Sequence, residues 1–212
     1  MALITPKARA SFVDTLWEAK AFQGEENGKK SYGITLLFDE EAQKTLEFKA
    51  LLQEYAKVRA EAWGPDEAKW PWKANPALPF RIPFQKGETK DYDGYGPGII
   101  FINPRSTSRP AVVNRNLTPI SRELGNDNII YSGCYVRASL SCFAYGKGSK
   151  IFPKGSPGVS FGLSNVQFWE DGPSLTARRR PDEDFQPLAD EPSNVTQPTG
   201  AAVVGNVDDL WK

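Results

Sequence analysis

Residues 131–145, YSGCYVRASLSCFAY, alternate between two chemistries. The even positions Cys134, Val136, Ala138, Leu140, Cys142 and Ala144 are small or apolar, whereas the odd positions include Tyr131, Tyr135, Arg137, Phe143 and Tyr145. Successive side chains of a strand point to opposite faces, so the pattern predicts one core face and one face carrying rings and a cation. Such a face suits unpaired nucleic-acid bases, which stack on aromatic rings while a guanidinium reaches phosphate or lies against a ring.

Working outward, ARASFVDTLW (8–17) and SYGITLLF (31–38) are rich in β-branched and aromatic residues and flank the turn-prone GEENGKK, which predicts a strand pair. In the second segment Tyr32, Ile34, Leu36 and Phe38 share a face. Asp39 then reads as an N-cap, with Glu40 and Glu41 favouring the helix dipole. Residues 40–63 read as one helix with Leu46, Ala50, Leu51 or Leu52, Tyr55, Val58 and Ala62 near helical spacing, stopped by Gly64 and Pro65.

From Pro65 to Pro97 the chain is proline-rich and carries Trp70, Trp72, Phe80, Phe84, Tyr92 and Tyr95 among lysines and arginines. A loop of this length is a nucleic-acid clamp or a cover packed on the body, and its tryptophans read as mostly packed. GIIFIN (98–103) and PAVV (110–113) read as short strands separated by a turn with Arg105 and Arg109, and GVSFGLSNVQFW (158–169) as a final strand whose glycines signal close packing or bending. The whole is mainly β, with five or six strands and one prominent helix. This fits an OB-fold-like barrel, and pattern alone leaves a β-sandwich open as well.

The zero net charge conceals an asymmetry. From Asp182 onward seven acids face Lys212 alone, a net −6, which leaves +6 on residues 1–181 with 25 bases and 19 acids. The composition after RRRP (178–181) turns to proline, acids and small polar residues. We therefore expect a domain over 1–186 and a disordered acidic tail over 187–212.

Several classes of chemistry are disfavoured. The absence of histidine excludes histidine-dependent triads and ordinary zinc sites. The two cysteines fall on one strand face roughly 26 Å apart at about 3.3 Å per residue, too far to bond, and read as small core residues of a reducing compartment. The glycines of DGYGPG and YGKG match no phosphate-loop spacing, and Asp91 and Asp93 read as turn residues rather than cation ligands. No run is long and apolar enough for a membrane span or a signal peptide, so no membrane partner is expected. The expectation is a non-enzyme without a cofactor.

The segments PGIIFINPRSTSRPAVVNRNLTPI, YSGCYVRASLSCFAY and GVSFGLSNVQFWEDGPSL, in this order after the RASF strand and the early helix, resemble a family of phage single-stranded DNA-binding proteins, formerly a domain of unknown function. The resemblance covers about residues 7–185 and rests on several separate motifs. It implies an OB-fold that coats single-stranded DNA without strong sequence preference during phage replication, recombination or repair, in the cytoplasm of the infected bacterium. The candidate DNA contacts are Tyr131, Tyr135, Arg137, Phe143 and Tyr145, with Arg105, Arg109 and Arg115 as candidates for a basic groove. The opposing reading, in which these rings face a second core under the long loop, stays open here, as does a phage structural or assembly protein with a β-sandwich body. The end, Asp208, Asp209, Leu210, Trp211, Lys212, resembles the acidic, aromatic tails with which single-strand binders recruit replication and recombination enzymes, and the terminal lysine departs from that pattern.

Overall fold

The computed structural model describes residues 3–21, 28–75, 77–147, 149 and 155–175. The boundary at 186/187, the RRRP motif and the 187–212 tail with Asp208, Asp209, Leu210 and Trp211 lie outside the described residues.

Two long antiparallel strands, β9 (Tyr135–Tyr145) and β10 (Gly158–Glu170), form the centre of the sheet. Before them come β1 (Leu3–Ile4), β2 (Ala8–Ser11), β3 (Tyr32–Gly33), β4 (Thr35–Phe38), β5 (Gln85–Lys86), β6 (Ile100–Ile102), β7 (Arg105–Ser106) and β8 (Ala111–Val113). All ten join one sheet in the order β3-β7-β10-β9-β2-β4-β6-β5, with β1 on β9 and β8 on β10. The protein is mainly β, as expected, and a single continuous sheet is not a two-sheet sandwich. The path is open, because its ends β3 and β5 do not pair among the described residues. β7 meets β10 at one pair, Arg105 with Gly162, which is a seam and not a ladder.

The helices are α1 (Asp14–Trp17), α2 (Glu40–Lys44), α3 (Leu46–Trp63) and α4 (Pro71–Ala74). Asp39 caps as predicted, its carboxylate accepting from the Ala42 N–H at 2.8 Å. The helix expected over 40–63 is nevertheless two helices. Thr45 turns to ψ 159°, accepts from the Phe48 N–H and so caps α3 afresh. Gly64 ends α3 at φ +91°, a conformation that suits glycine. The buried face of α3 is Phe48 and Leu51, whereas Leu46 is 79% exposed, because the new cap resets which residues begin the stripe. Burying a side chain such as Phe48 contributes on the order of 1.5–3 kcal/mol. Its ring meets Phe38 at 5.2 Å and Phe84 at 5.9 Å, and Phe84 meets Phe161 at 5.5 Å, which binds helix, loop and sheet into one core.

The first strand is also shorter than the ARASFVDTLW reading. β2 stops at Ser11, Phe12 takes φ +53°, and the chain enters α1, whose Leu16 and Trp17 are buried. Small inward residues, Ala8, Ala10 and Ala138, let β2 and β9 lie close under the large ones. Cys134 is fully buried, Cys142 packs against the core with its thiol pushed up to about 12 by burial, and neither forms a disulfide. Among the described residues no helix is long and apolar enough to cross a membrane.

Candidate nucleic-acid interface

The alternation predicted for β9 holds along most of the strand, with Cys142 only partly buried against the core. Val136, Ala138, Leu140 and Ala144 are buried, whereas Tyr135, Arg137, Phe143 and Tyr145 are half-buried on the other face. Directly opposed residues of paired strands share a face. Across β10 the partner of Tyr145 is Gly158, of Phe143 is Ser160, of Ser141 is Gly162 and of Arg137 is Gln167. Three of these four are glycine or serine, so the floor beside Phe143 and Tyr145 is low. A Cβ at Gly158 would meet the Tyr145 Oη at 2.7 Å and the Arg81 Cβ at 2.8 Å, so that glycine is required by close approach, whereas at Gly162 only the Ser141 Oγ would lie close, at 2.6 Å.

Arg105 joins this face from β7. It lies on a strand and not in the expected turn, because Pro104 and Arg105 continue the line of β6 into contact with Gly162 and Gly33. The row Ser141, Gly162, Arg105, Gly33 therefore crosses four strands, with Arg105 exposed at its middle. Its guanidinium lies 3.2 Å from the Ser31 hydroxyl.

The other end of the face is built by a bulge. The register slips between Phe168 and Glu170, leaving Trp169 without a partner on β9. The Arg137 guanidinium lies 5.3 Å from the Trp169 ring, and its Nε donates to Gln167 Oε1 at 2.7 Å. Gln167 in turn donates to the carbonyls of Asn114 and Arg115. A hollow of about 100 Å³ is lined by Arg115, Arg137, Gln167, Phe168 and Trp169. Arg115 is exposed and makes no ion pair among the described residues. The geometry places a guanidinium near a ring, within cation–π range. Trp169 was not singled out from sequence. Its signal is its place two residues after Gln167, the partner of Arg137.

Three expected residues stand differently. Tyr131 precedes β9 and packs against the core, its hydroxyl accepting from the Gly172 N–H at 3.0 Å and lying 2.9 Å from the Asp171 carboxylate. That hydroxyl fastens the segment after β10. Tyr135 carries the Lys7 ammonium 4.8 Å from its ring centre, with Lys7 paired to Glu170 at 2.8 Å. Arg109 is a two-pronged partner of Glu123, at 2.6 and 3.2 Å, and holds that carboxyl at about 2. Its charge is thus already matched by Glu123.

The long loop docks instead of dangling. The Arg81 N–H donates to the Pro157 carbonyl at 2.9 Å and the Val159 N–H to the Arg81 carbonyl at 3.1 Å, beside Tyr145. Trp70 is 2% exposed with Arg59 4.3 Å from its ring, and Trp72 stacks on Phe80 at 4.0 Å beside Trp63. These rings close on one another, so this part of the loop is a cover. Among the described residues no cluster of three His, Cys, Asp or Glu could hold a metal ion.

The model of a family described as "Enterobacter phage Enc34, ssDNA-binding protein" matches residues 1–196. A curated relative, "Putative protein p50" of Acyrthosiphon pisum secondary endosymbiont phage 1, is 34% identical over 119 residues, 56% of this chain. The match spans 59% of that relative's length. Among solved structures, the single-stranded DNA-binding protein of bacteriophage Enc34 in complex with ssDNA aligns with a TM-score of 0.59 and 18% identity, over 82% of this chain and 88% of that one. The single-stranded DNA-binding protein from bacteriophage Enc34 in another solved structure gives 0.55 and 17%, over 85% of this chain and 87% of that one. These two likenesses establish the shared fold.

Proposed function

We infer from the chain's place in the Enterobacter phage Enc34 ssDNA-binding protein family, to which it belongs, that it binds single-stranded DNA without sequence preference and coats it during phage replication, recombination or repair. The observation that carries the mechanism is the outer face of β9 and β10. Phe143 and Tyr145 stand over a glycine and serine floor at one end, Arg137 and Trp169 at the other, and Arg105 between them. Bases stack on the rings and phosphates run past the arginines. Arg115 belongs to the same groove. Tyr135 joins it once Lys7 swings aside, and Tyr131 and Arg109 stand as its structural margin. No bond is made or broken, so an oligonucleotide incubated with the protein and magnesium stays intact. The work is done in the cytoplasm of the infected bacterium.

The test is a fluorescence titration with single-stranded DNA, duplex and RNA. Single strands are expected to bind more tightly than duplex, because only unpaired bases expose their faces to the rings. A site of roughly 4–16 nucleotides is expected, with log affinity falling by about 0.7 per neutralised phosphate against log salt. Equal or tighter binding to duplex defeats the stacking mechanism.

The acidic 187–212 segment, which opposes the basic body, competes with DNA for it and presents Asp208, Asp209, Leu210 and Trp211 to replication and recombination enzymes. Removing 187–212 should tighten single-strand binding, most at low salt, and abolish such recruitment. Unchanged low-salt affinity refutes the competition, and a partner pull-down that survives loss of 208–212 refutes the recruitment.

A further inference from the structure

Phe12 and Leu117 are the two non-glycine residues with positive φ among the described residues, at +53° and +63°. Both hold large apolar side chains in solvent. A left-handed backbone is costly for any residue with a Cβ, and such strain persists where the surroundings impose it, often at a ligand contact. Phe12 is the one with a second exposed ring beside it. Phe12 is 49% exposed, Tyr92 is 54% exposed, and their rings meet edge to face at 5.4 Å.

The pair is firmly backed. Tyr92 leans on Tyr95 at 5.6 Å, and Tyr95 on the buried Phe101 at 5.2 Å. Behind Phe12, the Thr15 hydroxyl donates to the Gly33 carbonyl at 2.6 Å and lies 3.0 Å from the Phe12 carbonyl. Gly33 is the β3 partner of Arg105. The ring pair thus adjoins the end of the row that crosses the face through Arg105.

We propose that Phe12 and Tyr92 form a second stacking station, which takes an unpaired base of the same single strand after it has passed Arg105. This rests on the β9–β10 face being the DNA face. Asp91 and Asp93 flank Tyr92 in the chain and repel phosphate, so the station takes the base and leaves the backbone to the arginines. The occupant is a base, because the exposed feature is two rings meeting edge to face beside the strand row that carries Arg105.

The experiment is titration of the full chain and two variants, Phe12→Gly and Tyr92→Ala, with a labelled oligothymidylate of about 16 nucleotides, beside thermal melting and photocrosslinking of an iodouracil-substituted strand. Glycine accepts φ +53°, so Phe12→Gly should melt at the same or a higher temperature. Its affinity should fall about tenfold with an unchanged salt slope, and crosslinks should map to Phe12 or Tyr92. Unchanged affinity in both variants, while Phe143→Ala weakens binding, overturns the second station alone. If Phe143→Ala is also without effect, the β9–β10 face itself is wrong. A Phe12→Gly that melts lower and binds normally makes the ring a packing element, and one that loses self-association instead of DNA makes the pair a contact between copies. Either result overturns the proposal.

Discussion

Val136→Asp is expected to destabilise the fold more than any other substitution considered. Val136 is fully buried near the start of β9, with Ala8 of β2 on one side and Phe168 of β10 on the other. A carboxylate placed there has no cation within its face of the strand, because every even neighbour is apolar. An unpaired charge left in a core costs about 3–5 kcal/mol, against a total stability of about 5–15 kcal/mol for an ordinary domain. The check is thermal or urea unfolding followed by circular dichroism. A variant that melts like the parent would mean that the even positions do not face the core, and the ring face would then lose its complement.

That complementarity is what the sequence makes legible. A period of two is a backbone property of strands, so Val136, Ala138, Leu140 and Ala144 could be assigned inward and Arg137, Phe143 and Tyr145 outward before any coordinates. Capping was legible for the same local reason, since Asp39 needs only the N–H three residues on. Features that depend on a single residue leaving the pattern were not legible. Thr45 is an ordinary helix residue until its ψ turns to 159°, and only then do Phe48 and Leu51 become the buried stripe in place of Leu46. Phe12 reads as one more strand residue, yet its left-handed turn ends β2. Trp169 falls in a bulge, which shifts it out of the alternation that would have selected it.

The arginines show a further limit. Arg105, Arg109 and Arg115 look alike as cations near strand ends, and composition gives no way to rank them. Their partners separate them. Arg109 is engaged by Glu123, fourteen residues away, in a pairing only the folded loop creates. Arg105 lies on the row through Gly162, and Arg115 on the hollow beside Arg137. Surface ion pairs contribute little to stability, so the Arg109–Glu123 pair matters mainly by removing one cation from those a phosphate could use.

The same distinction orders the rings, and it predicts unequal losses. Phe143→Ala is expected to weaken single-strand binding by about 1–3 kcal/mol, because the ring is half-buried on the outer face and its partner across β10 is the small Ser160. Tyr135→Ala should cost less. The Lys7 ammonium already lies 4.8 Å from that ring, and a base must displace a cation contact worth about 0.5–1 kcal/mol before it stacks. Arg137→Ala should flatten the salt slope by about 0.7 as one phosphate contact disappears. Both ring variants should keep their melting temperature to within a few degrees, since half-buried outer residues contribute less to the core than Val136. Matched titrations and melts decide the matter. If Phe143→Ala melts far below the parent yet binds normally while folded, the ring packs against protein and the ligand surface lies away from it. If Tyr135→Ala loses more affinity than Phe143→Ala, the strand runs past Lys7 and enters the groove from the Trp169 end.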